Sequence, residues 1–193
     1  FLRTCPAWAP DLLDTPTVNG LPTLLMRYYP TTLLDRLNSG APFSEILRLT
    51  SRVARLLSEI GQVHGDLHPA NVLIDSDGNP FLDDPMTAAA CQMEKSATGK
   101  RYAAPEESSS GTWIGDTWGL CAGLYQSAMA PVDAPSATPI EHLVPVPSRG
   151  LDKVALATLR ERIVTRMKHE NSNLRFRNRL SERLASLLNR ALS

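Results

Sequence analysis

Residues 63 to 75 read "VHGDLHPANVLID", and this stretch restricts the fold of the chain more than any other. An apolar residue leads into His64, Gly65 and Asp66. A polar loop containing Pro69 follows, and Asn71 then opens "VLID", four residues that read as a strand. Proline interrupts regular structure, so Asp66 and Asn71 are displayed five apart on an irregular segment that feeds directly into extended chain. A solvated loop needs no such pairing. A site that orients a hydroxyl and holds a metal ion does.

The remainder of the chain reads as a mainly helical body with two short hairpins. "PDLLD" and "LPTLLMRYY" are extended runs separated by Asn19-Gly20, a strong hairpin signal. Thr31-Thr32 caps a short helix, "LLDRLN", which stops at Ser39-Gly40. Pro42 and Ser44 open a longer helix to about Val63, with Ile46, Leu49, Val53, Leu56, Leu57 and Ile60 at helical spacing. "VLID", "SDGN" and "PFLDD" predict a second hairpin. Residues 86 to 112 show no sustained period and are expected to be irregular. "DTWGLCAGLYQSAM" is apolar on nearly all sides and reads as a buried helix, with Trp113 and Trp118 expected in the core. Five prolines between 131 and 147 leave room for one helical turn near Ile140 to Leu143. Helices over about 151–168 and 178–192 close the chain.

Composition excludes several classes. Lys+Arg and Asp+Glu both number 20, so there is no electrostatic case for nucleic acid or an anionic membrane as the main partner. No apolar run approaches the ~20 residues that span a bilayer. Cys5, Cys91 and Cys121 are odd in number and widely spaced, which reads as reduced thiols in a cytoplasmic protein. Asp75, Asp77 and Gly78 lack the acidic residue that closes a calcium loop and read as a hairpin turn.

The order of these segments resembles the protein-kinase-like superfamily. "HGDLHPAN" resembles its catalytic loop, usually His-Arg-Asp-Leu-Lys-Pro-x-x-Asn. Asp84, in "FLDDPM", falls where the Asp-Phe-Gly motif would lie; a slip of one residue would pass that place to Asp83. "RYAAPEE" resembles the Ala-Pro-Glu motif, and "DTWGLCAGLY" the buried helix after it. "PTLLMRYY" and "TTLLDRL" look like the strand into the adenine-binding hinge and the helix beyond it.

The resemblance implies an α+β, mainly α fold: a kinase-like C-terminal lobe over residues 31–193, with catalytic loop 64–71 and activation segment 84–106. Residues 1–30 would be a remnant of the N-terminal lobe, one β-hairpin and the hinge. It implies ATP and Mg²⁺ as cofactors, and a hydroxyl acceptor on a protein or a small molecule. Asp66 would take the acceptor's proton, with His68 beside it, and Asn71 and Asp84 would hold the metal. Met26, Arg27 and Tyr28 would border the adenine. His64 would support the loop, Asp116 would tie it down, and Glu106 would pair with Arg175, or failing that with Arg177.

Four departures from the pattern qualify what is carried over. Gly65 replaces the Arg that receives a phosphorylated activation segment, so control by that route is not expected. His68 replaces the catalytic-loop Lys, which makes the loop resemble the aminoglycoside-phosphotransferase branch and atypical kinases. "DPM" stands in place of Asp-Phe-Gly. No glycine-rich loop and no Val-Ala-x-Lys strand occur within the 193 residues. With a first residue that is not Met, the expectation is a segment of a longer kinase-like protein, with a one-lobe pseudokinase as the competing reading.

Overall fold

Helix formation starts from spacing. In α2, Phe43–Ile60, the apolar residues Ile46, Leu49, Val53 and Leu57 recur every three or four positions and are all buried. The helix ends at Ile60, with Gly61 as its C-cap, three residues short of the expected boundary. Its first turn has no local side-chain cap, because Pro42 occupies the N-cap position. Glu170, 127 positions away, supplies the acceptor: its carboxylate takes the amides of Phe43 at 2.5 Å and Ser44 at 2.9 Å.

The computed structural model describes residues 8–85, 101–105, 112–131, 139–147, 150–170 and 177–193. Most of the irregular 86–112 stretch lies outside them.

The N-terminal part forms two small antiparallel ladders: β1 (Leu12–Asp14) with β4 (Leu25–Met26), and β2 (Thr17–Val18) with β3 (Leu21–Pro22). Asn19 and Gly20 turn the inner hairpin with φ of 52° and 78°, the positive values that a type I′ turn requires. A third sheet has the order β5 (Thr31–Thr32), β6 (Val72–Ile74), β7 (Pro80–Leu82), all antiparallel. The turn between β6 and β7 is the expected one. The Asp75 carboxylate accepts from the amides of Asp77 and Asn79, and Arg52 reaches across to the Gly78 carbonyl and the Asn79 side chain. Thr32 also caps α1, Leu33–Asn38, through a reciprocal bond with Asp35.

The core is helical. α3, Trp113–Met129, packs against α2, α5 (Lys153–His169) and α6 (Arg177–Ala191). A single turn, α4 (Ile140–Leu143), lies beside it. α3 begins three residues earlier than expected because Thr112 caps it, its hydroxyl accepting from Gly115 N–H at 3.2 Å. That early start leaves Trp113 44% exposed, which corrects the expectation that it is a core residue; Trp118, at 3%, is one. The mixed architecture, helices with small antiparallel sheets, is the α+β, mainly α class expected.

Two glycines in α3 set its distance from the loop at 64–71. A Cβ at Gly119 would overlap the Leu67 carbonyl oxygen, and one at Gly123 would come within 2.9 Å of Pro69 Cγ. Gly119→Ala forces the loop backbone to move, a cost of about 2–3 kcal/mol. A melting temperature lower by roughly 4–12 °C than the parent's is the expected result. An unchanged melt would show that the helix can retreat from the loop freely.

Candidate functional site

Residue 64 begins a loop whose backbone amides have no strand or helix to pair with. Asp116 pairs them. It is 1% exposed, on the first turn of α3, and its carboxylate accepts from His64 N–H at 2.7 Å, Gly65 N–H at 3.0 Å and Leu67 N–H at 3.4 Å. A buried carboxylate is tolerated when it gathers several donors, and buried amides need an acceptor; each meets the other's requirement. Asp66 sits between two residues whose amides are both held.

Pro69–Asn71 then form one turn of 3₁₀ helix. Asn71 Nδ2 donates to the Asp66 carbonyl at 2.9 Å, which leaves Oδ1 as the acceptor end of that side chain. The Asn71 carbonyl accepts from Asp83 N–H at 2.9 Å, so Asp84 follows directly on a residue bonded to Asn71. Asp84 is exposed and has φ 54°, a left-handed conformation that is uncommon outside glycine and is found where surrounding structure imposes it. Asp83 has a different role: its carbonyl accepts from His64 Nε2 at 2.9 Å. The loop, the β6–β7 hairpin and α3 thus bring His64, Asp66, Asn71, Asp84 and Asp116 into one neighbourhood.

His68 is buried beside Asp66, its Nε2 3.7 Å from Asp66 Oδ2. Its ring stacks on Tyr102, with centroids 6.3 Å apart and planes at 24°. Tyr102 O–H donates to Gln126 Oε1 at 2.7 Å, and Gln126 Nε2 donates to the Val144 carbonyl at 2.9 Å. Sequence reading assigned nothing to Tyr102, Gln126, Gly119 or Gly123. The glycines were detectable: with Asp116 they lie three and seven positions along, on one face of the helix. A glutamine inside an apolar helix was the corresponding signal for Gln126.

Met26, Arg27 and Tyr28 lie away from this centre in sequence and are exposed, Tyr28 by 82%. Arg27 pairs with Asp11 at 3.1 Å. Glu106 and Arg175 lie outside the described residues, as does the side chain of Arg177. Among the described residues, no group of three or more His, Cys, Asp or Glu is placed to hold a metal ion.

Burial pushes the His64 imidazole below its ordinary value of 6.5, against the pull of Asp116, the Asp83 carbonyl, Asp66 and Asp84. The bond to Asp83 assigns the ring proton to Nε2, and Nδ1 is buried without a partner among the described residues, none of which would accept a second proton there. As pH falls through 6.5, the unfolded chain takes up a proton that folded His64 resists, and the stability associated with the neutral ring is lost. Between about pH 7.5 and about pH 5, the melting temperature should fall more steeply for the parent than for His64→Gln, which does not titrate. Parallel curves would remove His64 as the source of acid sensitivity.

A scan against protein-family models and a search of curated proteins found no match. Among solved structures, the chain is similar to the pseudokinase domain of BIR2, an immune regulator of the RLK/Pelle family. The TM-score is 0.63 at 21% identity, over 100% of this chain and 60% of that one. The chain thus spans about three-fifths of that domain's length. Taken with the tethered loop and the hairpin behind it, this likeness shows that the chain has a protein-kinase-like fold.

Proposed function

We propose that this chain carries the larger lobe of an ATP-dependent phosphotransferase. In the intact parent protein it would move the γ-phosphoryl group of MgATP to a hydroxyl, that of Ser or Thr in a protein. One observation carries the reading: Asp66 is fixed in place by the amides on either side of it, both bonded to Asp116. A carboxylate that must meet an incoming hydroxyl gains rate from such pre-positioning, since the ordering cost is met by folding rather than at each turnover.

The residue types suit the chemistry. Asp66 accepts the hydroxyl proton, and His68, where kinases commonly have Lys, brings an imidazole to the same place. Magnesium takes oxygen donors and is commonly held by one or two protein groups together with substrate phosphates; Asn71 Oδ1 and the Asp84 carboxylate are of that kind. The ion would supply neutralisation of phosphate charge. Met26, Arg27 and Tyr28 would border the adenine. An aminoglycoside-phosphotransferase-like small-molecule acceptor is the variant of this reading favoured by His68.

A second reading is a binding module without turnover. Pro85 and Met86 follow Asp84 where Phe and Gly are usual, and one of the solved structures similar to the chain is a pseudokinase domain.

Thermal shift and phosphoryl transfer, measured together on the intact parent protein, separate the two. In the enzyme reading MgATP raises the melting temperature, because it binds only the folded state. Asp66→Ala then keeps that shift while transfer falls by about 10²–10⁴. Asp84→Ala loses both. A parent that binds MgATP without transferring phosphoryl to any hydroxyl acceptor is the binding module, and equal transfer by Asp66→Ala refutes the assignment of the base.

A further inference from the structure

A groove of about 820 Å³ runs between α2, α3 and α6, separate from the Asp66 loop. Its floor is apolar, with Leu57, Leu120, Leu124 and Leu184 among its residues. Thr50 also lines it, 6% exposed, with a hydroxyl that has no hydrogen-bond partner among the described residues. Large apolar side chains stand open at the rim: Trp113 is 44% exposed and Leu187 47%. Folding alone gives no reason to leave a tryptophan and a leucine exposed beside an apolar trough.

The shape and charge of the walls identify the occupant. On the α2 side, Ser51, Ala54 and Ser58 are small and exposed, three and four positions apart, so another backbone can approach closely. On the α6 side, Arg190 is the one charged residue of the lining. Arg183 lies one turn before Leu187 and Arg190 one turn after it, about 10 Å apart along the helix. Both are exposed, and neither makes an ion pair among the described residues. The zero net charge of the chain hides an asymmetry, because residues 151–193 carry ten Lys and Arg against four Asp and Glu.

We propose that this groove is a docking site for an amphipathic helix of a partner protein. The helix inserts an aliphatic face and sets acidic residues two turns apart against Arg183 and Arg190. Open grooves with apolar floors take helices through anchors at i, i+3 or i+4, and i+7, and flanking charge fixes the register.

The test uses two capped, labelled peptides of about 18 residues, long enough to hold helix, with the same Leu face on an Ala-rich host. One carries Glu at the two flanking positions and the other Lys. Binding is followed by fluorescence anisotropy with the full 193-residue chain. The Glu peptide should bind at least ~10-fold more tightly than the Lys peptide. Ala54→Glu should weaken it by at least ~10-fold, and the double variant Arg183→Glu, Arg190→Glu should reverse the preference. All three positions are exposed, and thermal melts check that the variants fold. Equal binding of the two peptides, no binding of either, or insensitivity to Ala54→Glu would overturn the proposal. So would a self-associated chain that Ala54→Glu returns to monomer, which would assign the groove to a second copy. Saturation by dodecanoate with exclusion of both peptides would likewise overturn it, in favour of a small amphiphile.

Discussion

A single buried carboxylate organises the centre of this molecule. Without Asp116, three amides at positions 64, 65 and 67 would lie inside the protein with no acceptor. The loop would then have to move outward to water, and Asn71 and Asp83, which are bonded in sequence to it, would move as well. The same helix that carries Asp116 presents Gly119 and Gly123 to the loop, so attraction and close approach come from one face. Electrostatic anchoring and steric clearance are therefore coupled. A Cβ at Gly119 would meet the Leu67 carbonyl oxygen in the same stretch of backbone whose amides Asp116 holds.

Local features were legible because they are governed by local rules. Asn19-Gly20 turned as its positive φ values demand, the Asp75–Asn79 turn closed by its own side chains, and Thr32 capped the helix it precedes. The partnership of Asp116 with the loop was legible for another reason: a carboxylate in an otherwise apolar helix must find donors, and few segments offer unpaired amides. The cap on α2 was not legible. Nothing near Pro42 announces that Glu170 will serve it, since the contact exists only once α5 has docked. Trp113 failed for another reason, because the Thr112 cap starts α3 three residues early and leaves the tryptophan on an uncovered first turn.

The functional reading rests on chemistry that the fold permits rather than on the fold itself. Kinase-like architecture is shared by proteins that turn over and proteins that do not, and a likeness at 21% identity carries the architecture alone. What distinguishes this chain is its set of departures from the resembled pattern around Asp66, Asn71 and Asp84. Gly65, at φ 90°, puts no side chain where the resemblance implied a guanidinium. His68 exchanges a fixed cation for an imidazole packed between Asp66 and Tyr102. Tyr102 in turn is bonded through Gln126 to the Val144 carbonyl, so the surroundings of this loop extend well into the helical body.

Thr32 does two things at once. It pairs with Leu73 as the last rung of the β5–β6 ladder, and its hydroxyl starts α1, whose Leu33 and Leu37 are locked in the core. A strand that cannot twist without unwinding the helix behind it makes a poor pivot. The N-terminal ladders are in turn tied to the body twice, through residues 27–30 into Thr31 and through Leu82 N–H, which donates to the Trp8 carbonyl at 2.8 Å. Tyr29 closes the span between them, its ring 5.0 Å from that of Phe81 and its hydroxyl accepting from Asp11 N–H at 3.0 Å, so the ladders are braced against the body at both of their ends.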